Sequence, residues 1–146
     1  MEIRNAIVGE ETEVVGLINE LIIELGGAPL PEIEATRTVA SFIEESLDGA
    51  VVVAASNDEL VAVCTLTYQP SIRTIGRYGI IQEMYVKPEF RSEKLGAELI
   101  EKANSIAENA GCPIVELSTP PSGERAENFY RRVGFSQIGV RMRYKF

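Results

Sequence analysis

The chain has no histidine. That excludes a histidine general base, a Ser-His-Asp triad and histidine metal ligation, so any proton transfer falls to Glu, Asp, Tyr, Lys or Cys. Cysteine is scarce: Cys64 and Cys112 lie in apolar segments without the paired spacing that zinc or a redox dithiol requires, and read as reduced core thiols of a cytoplasmic protein. No apolar run approaches ~18 residues, and "MEIRNAIVGEETE" has neither a basic start nor a long apolar core. A membrane span and a signal peptide are therefore not expected. Basic residues are outnumbered 14 to 22, and the net charge of -8 argues against nucleic-acid binding while mildly favouring a cationic partner. The end of the chain is the exception, with Arg131, Arg132, Arg141, Arg143 and Lys145 and no acid between 131 and 146. This reads either as an edge strand guarded by basic side chains or as an anion-binding surface.

What the chain does contain fits one α/β domain over residues 1–146. With 45% hydrophobic and 25% charged residues it has the composition of a soluble globular protein, long enough to bury roughly 70% of its unfolded surface. Residues 3–8 read as a strand, and Val14, Leu17, Ile18, Leu21, Ile22 and Leu25 recur at helical spacing up to Gly26-Gly27. A second helix is expected after "PLPEIEA", presenting Val39, Phe42, Ile43 and Leu47 and stopping at Asp48-Gly49. "AVVVAAS" and "LVAVCTLTY" form a hairpin through "NDE", "QPSIRTIGRY" (69–78) is a loop, and "GIIQEMYV" is a strand. Leu95, Leu99, Ala103, Ile106 and Ala107 mark a helix ending near Gly111. The strand "PIVELS", the loop "PPSGE", a helix bearing Ala126, Phe129, Tyr130 and Val133 up to Gly134, and a final strand from Phe135 to the terminus complete the order β-α-α-β-β-β-α-β-α-β. The sequence shows no internal repeat or linker.

The stretch "VKPEFRSEKLGAELI" passes from strand to helix. A helix start offers unpaired N–H groups and the positive end of the helix dipole, so Ser92 to Ala97 form a candidate phosphate cradle. Gly96 permits close approach and Arg91 supplies a charged fork. The same letters also describe a capped surface helix. Neither Gly-x-x-x-x-Gly-Lys-Ser/Thr nor Gly-x-Gly-x-x-Gly occurs, so an NTPase or a dinucleotide enzyme has no support.

Taken together, "IIQEMYVKPEFRSEKLGAELI" and "AENFYRRVGF" resemble the GCN5-related N-acetyltransferase (GNAT) family, whose coenzyme A turn carries Arg-x-x-Gly-x-Gly/Ala and whose following helix carries Phe-Tyr before Gly-Phe. Lys94 departs from that pattern where the first glycine belongs, while Gly96 keeps the second. The resemblance covers essentially the whole chain and implies a mixed, mostly antiparallel sheet flanked by helices, with acetyl-CoA as co-substrate. It implies pairing of the pantetheine arm with the backbone of Met84, Tyr85 and Val86. The phosphates would be held by the turn of Arg91, Ser92, Glu93, Lys94, Leu95, Gly96 and Ala97, and Asn128 and Arg131 would supply further contacts.

Acyl transfer needs a neutral amine, and an alkyl amine with pKa ~10.4 is about one part in a thousand neutral at pH 7, equivalent to roughly 4 to 5 kcal/mol. The resemblance implies Glu83 as the base, directly or through water, and Tyr130 as the acid that protonates the departing thiolate. The plainer readings are an exposed strand glutamate, a core tyrosine and, for Asn128, a polar helix face. The first two helices and the 69–78 loop would frame the acceptor with Glu20, Glu24, Glu32 and Glu34 against Arg73 and Arg77, and Arg125 could hold an anionic group. The expected activity is acetylation of a small-molecule primary amine. The alternatives are a protein lysine or N-terminal acetyltransferase and a non-catalytic acyl-CoA-binding or regulatory domain. A homodimer through the last strand is compatible with the fold, although Arg141, Arg143 and Lys145 would repel their copies.

Overall fold

A computed structural model describes residues 1–120 and 123–146, and of Glu93 the backbone. Its elements are β1 (Glu2–Asn5), α1 (Glu11–Glu24), α2 (Glu32–Glu44), β2 (Gly49–Ser56), β3 (Glu59–Ser71), β4 (Gly76–Val86), α3 (Glu93–Asn109), β5 (Val115–Leu117) and α4 (Glu124–Arg132), with a 3-10 turn at Pro88–Phe90. The strands lie side by side in chain order. Each of the first four is antiparallel to its neighbour, and β5 runs parallel to β4. The predicted "PPSGE" loop falls partly on 121 and 122, outside the described residues.

Strand alternation sorts the core into two layers. Val51, Val53 and Val63 pack with Val14, Val15, Leu17 and Ile18 of α1 and Val39 of α2. On the opposite face Val52, Ala54 and Cys64 pack with Leu95, Leu99, Ile100, Ala103 and Ala107 of α3. Burial of a side chain such as Leu99, fully enclosed here, stabilises the fold by about 1.5–3 kcal/mol. Asn57 and Asp58, with φ of 50° and 64°, close the β2–β3 hairpin in the turn conformation that suits strand twist. Helix α4 ends at Gly134 (φ 102°), after which the Phe135 N–H donates to the Tyr130 carbonyl at 2.9 Å.

Three expectations need correction. Helix α2 ends at Glu44, short of Asp48-Gly49, and Leu47 is exposed and not on its buried face. Residues 69–78 are not a loop: β3 and β4 pair through Pro70↔Arg77 to Ser71↔Gly76, leaving a tip of 72–75. Pro70 is tolerated because pairing with β2 ends at Thr67, so β3 is an edge there and the missing N–H costs nothing. The final strand from Phe135 to the terminus is also not formed; residues 135–146 hold neither helix nor strand. The alternating apolar residues that suggested it, Ile138, Val140, Met142 and Tyr144, are exposed. A strand needs a backbone partner, and the neighbouring β5 spans three residues. Phe135 and Gln137 still hold the start of the segment to α4, and further along a side-chain bond from Arg141 Nη1 to Ser118 Oγ at 2.9 Å joins it to the body.

Candidate active site

Strand β4 carries a bulge where the site begins. Cys64 pairs with Met84 and Leu66 with Ile81, so Gln82 and Glu83 together oppose the single residue Thr65. The Glu83 N–H consequently donates to Thr65 Oγ1 at 3.0 Å, and the Thr65 hydroxyl in turn donates to Glu83 Oε2. One threonine thus fixes both the backbone and the carboxylate of Glu83. The second carboxylate oxygen has no hydrogen-bond partner among the described residues. Glu83 lines a cavity of about 330 Å³ between β4 and the helices α1 and α2.

Beyond the bulge β4 leaves β5. The parallel pairing stops at Ile81↔Leu117, while β4 continues to Val86. Its other edge stays paired with β3 through Met84↔Cys64, Tyr85↔Val63 and Val86↔Ala62. The Gln82–Val86 backbone is therefore an open edge towards β5, flanked by the α3–α4 layer on one face and by α1 and α2 on the other. The Tyr85 side chain belongs to the α1 layer, where burial and then Glu20 push its phenol pKa up, and its backbone pairs with Val63 of β3.

Tyr130 approaches from the α4 side, half-buried, edge-on to Phe129 at 5.2 Å and to Phe135 at 5.9 Å between ring centroids. Its hydroxyl donates to Met84 Sδ at 3.5 Å, a weak acceptor. Burial, and then the Cys64 thiol, push the phenol up to about 12. Cys64 is itself pushed up to about 12 by burial and then by the Glu83 carboxylate, so it lies in electrostatic reach of both candidate residues.

The turn into α3 is tightly organised. Ser92 caps the helix, its Oγ accepting from the Leu95 N–H at 3.1 Å. The Gly96 N–H donates to the Ser92 carbonyl, so the helix-start N–H groups without an acceptor among the described residues are those of Ser92, Glu93 and Lys94, a narrower cradle than residues 92–97. Lys94 occupies ordinary helical backbone with its ammonium outward, 3.8 Å from Glu98. Arg91 is engaged: Nε donates to the Val86 carbonyl at 2.9 Å, Nη2 to Glu24 at 2.6 Å, and the guanidinium lies 5.5 Å from the Tyr85 ring centre. Gly96 faces α4, where an added Cβ would lie 2.9 Å from Phe129 Cζ. Its smallness admits the aromatic pair of α4. Asn128 is exposed on α4, and Arg131 bonds Glu127 at 2.8 Å and Gln137 at 3.1 Å.

Of the expected acceptor residues Glu34 lines the 330 Å³ cavity, whereas Glu20, Glu32, Arg73 and Arg77 do not. Arg77 is a tether instead, bonding the carbonyls of Ala110 and Leu47 and stacking 4.3 Å over Tyr68. Glu24 is taken by Arg91, and Arg125 is exposed on α4. A larger opening of about 860 Å³ lies between β5, the end of α4 and the unpaired C-terminal segment. It touches Tyr130 and Arg131 but neither Glu83 nor the α3 turn, and its size reflects the strand that does not form. Sequence reasoning missed Thr65, since nothing about a strand threonine announces a register-dependent bond to residue 83.

Known proteins share this sequence pattern and this fold. Residues 10–135 match the Acetyltransferase (GNAT) family. The aminoalkylphosphonate N-acetyltransferase of Salmonella typhimurium is 31% identical over 142 residues, covering 96% of this chain and 88% of that one. The thialysine N-epsilon-acetyltransferase of Bos taurus is 32% identical over 63 residues, 43% of this chain and 37% of the relative. Among solved structures, an aminoglycoside N-acetyltransferase in complex with CoA superposes with a TM-score of 0.85 at 15% identity, covering 99% of this chain and 93% of that one; this likeness shows the fold. The chain belongs to the GNAT acetyltransferase family and is an acyltransferase.

Proposed function

We propose that the protein transfers an acetyl group from acetyl-CoA to the primary amine of a small molecule, with Glu83 as base and Tyr130 as donor to the departing sulfur. The observation that carries this reading is the bulge in β4, which holds the Glu83 carboxylate at a cavity on one side of an open strand edge while the Tyr130 hydroxyl reaches that strand from the other. The residues present fit the coenzyme. The edge from Gln82 to Val86 lies beyond the β5 pairing, with the Val86 carbonyl held by Arg91, and the α3 start offers N–H groups suited to phosphate. Met84 and Val86 would hold the pantetheine arm through their backbone, with Tyr85 between them paired to β3. Ser92, Glu93 and Lys94 would hold phosphate through theirs, within a turn completed by Leu95, Gly96 and Ala97. Arg91 would add its charge after exchanging Glu24, and Asn128 and Arg131 would border the other side.

When bound, acetyl-CoA supplies the acetyl group as a thioester. Glu83 accepts the proton that the amine must lose, and Thr65 holds one of its oxygens so that the other faces the cavity. Tyr130 remains protonated throughout the physiological range. Complete transfer of its proton to a thiolate of ordinary pKa ~8.5 would be uphill by roughly 5 kcal/mol. The phenol therefore acts chiefly as a hydrogen-bond donor to the sulfur as its charge grows, with solvent delivering the proton afterwards. A cavity of about 330 Å³ suits a small acceptor better than a protein segment. Two free, buried thiols suit a cytoplasmic protein.

The test pairs binding with turnover. Acetyl-CoA at ~100 times its Kd should stabilise the fold by about 2.7 kcal/mol, read as a rise in Tm. Glu83→Gln should keep that rise and lose ~10²- to 10⁴-fold in thiol release with an amine acceptor. No thermal shift at millimolar coenzyme would sink the reading, and undiminished turnover in Glu83→Gln would remove Glu83 from it.

A further inference from the structure

Charge of one sign lines the cavity beside Glu83. Its walls are Val15, Ile18, Leu30, Val39, Phe42 and Leu66, and its charged members are the carboxylates of Glu34 and Glu83; among the described residues no lysine or arginine lines it. The uncharged polar groups there are largely engaged with one another. Thr38 Oγ1 donates to the Glu34 carbonyl at 2.9 Å, Gln82 Nε2 donates to Thr67 Oγ1 at 3.2 Å, and Thr65 is bound to Glu83. An occupant therefore meets apolar surface and two anions.

We infer that the acceptor is a primary amine carried on an uncharged, chiefly apolar body, an alkylamine or arylalkylamine. This rests on the acetyltransferase reading above and narrows its substrate class. The ammonium of such a molecule is drawn to the two carboxylates, and its body replaces water against Val15, Ile18, Val39 and Phe42. A phosphonate, phosphate or carboxylate on the acceptor would lose its water beside two carboxylates without a cation to receive it. A second ammonium would face aliphatic wall. The Salmonella relative is named for aminoalkylphosphonates, and the lining of this cavity supplies no partner for such an anion. Selectivity for an apolar amine is thus a property of this chain's own walls.

The test compares 2-phenylethylamine and hexylamine with 2-aminoethylphosphonate and spermidine, each with acetyl-CoA, alongside the thermal shift given by acetyl-CoA alone. The expected result is a coenzyme-dependent rise in Tm and kcat/KM at least ~100-fold higher for the two apolar amines. Thr38→Lys places an ammonium on an exposed lining position and should narrow the phenylethylamine-to-phosphonate ratio by at least ~10-fold. A thermal shift with preferred turnover of the phosphonate or spermidine overturns this inference alone. So does a thermal shift with no turnover of any of the four amines. An unchanged ratio in Thr38→Lys removes this cavity from acceptor choice. Absence of any coenzyme shift overturns the acetyltransferase reading and this inference with it.

Discussion

Tyr130 and Glu24 are the side chains whose surroundings make the sharpest claims. The Tyr130 phenol is pushed up to about 12, against an ordinary value of 10.0, chiefly by burial. Above pH 10 the unfolded chain gives up this proton while the folded chain keeps it, so stability present below pH 10 is lost as pH rises towards 12. The loss amounts to about 2–3 kcal/mol over that window. Tyr130→Phe should show a shallower fall of Tm between pH 10 and 12 than the parent; Cys64, also pushed up to about 12, titrates in both proteins and leaves a residual fall in the variant. At neutral pH the same variant should turn over ~10²-fold or more slowly with its Tm nearly unchanged, because the hydroxyl's partner is a thioether. Glu24 presents the opposite case, since its bond to Arg91 competes with any phosphate for the same guanidinium. Glu24→Gln should lower KM for acetyl-CoA severalfold in steady-state assays at low salt. Its Tm should move little, as exposed ion pairs stabilise by about 0–1 kcal/mol. An unchanged or higher KM would take Arg91 out of coenzyme binding.

Among the elements, α3 and α4 depend on each other through Gly96. A Cβ there would press on the Phe129 ring, whose edge already packs on Tyr130, so Gly96→Ala should shift α4 and the Tyr130 hydroxyl together. The expected outcome is a loss of at least ~10-fold in kcat with native far-ultraviolet circular dichroism, while Phe129→Leu in the same chain should recover part of it by opening space. A Gly96→Ala protein of unchanged kcat would mean that Phe129 moves without carrying Tyr130. Gly96 also shows what the sequence could and could not convey. Helices α1 and α3 were legible because their apolar spacing is local and Gly26 and Gly111 end it. The family pattern located Gly96, yet not its reason, because the ring that approaches it comes from residue 129. The bulge at Gln82 and Glu83 was not legible for the same cause: register is set by the partner strand, and the adjacent polar pair in the letters 79–86 does not say which residue opposite it is skipped. The 69–78 hairpin failed in the other direction, since Pro70 and Gly76 are breakers only where a neighbouring strand would need their backbone.

At the scale of the whole molecule the sheet is unequally finished. Strands β2 and β3 are paired on both edges and enclosed by helices on both faces, whereas the chain beyond Phe135 lies outside every pairing among the described residues. Its alternating Ile138, Val140, Met142 and Tyr144 had the pattern of a strand, but pattern supplies side-chain placement and not a partner. Local opening should follow this inequality, with backbone amides of 138–146 exchanging near the rate of an unstructured peptide and those of Val52, Val53 and Val63 exchanging only on global unfolding. Arg141, Arg143 and Lys145 make the segment a ready substrate for trypsin, since cleavage needs an extended, accessible backbone. Brief digestion should therefore cut first after these residues, read by intact mass. The product should keep its Tm within a few degrees and its stabilisation by acetyl-CoA, because the edge at Gln82–Val86 and the α3 turn, where we propose that the coenzyme binds, lie apart from the residues removed. Protection of all three sites under native conditions would show that the last segment has found a strand partner in solution.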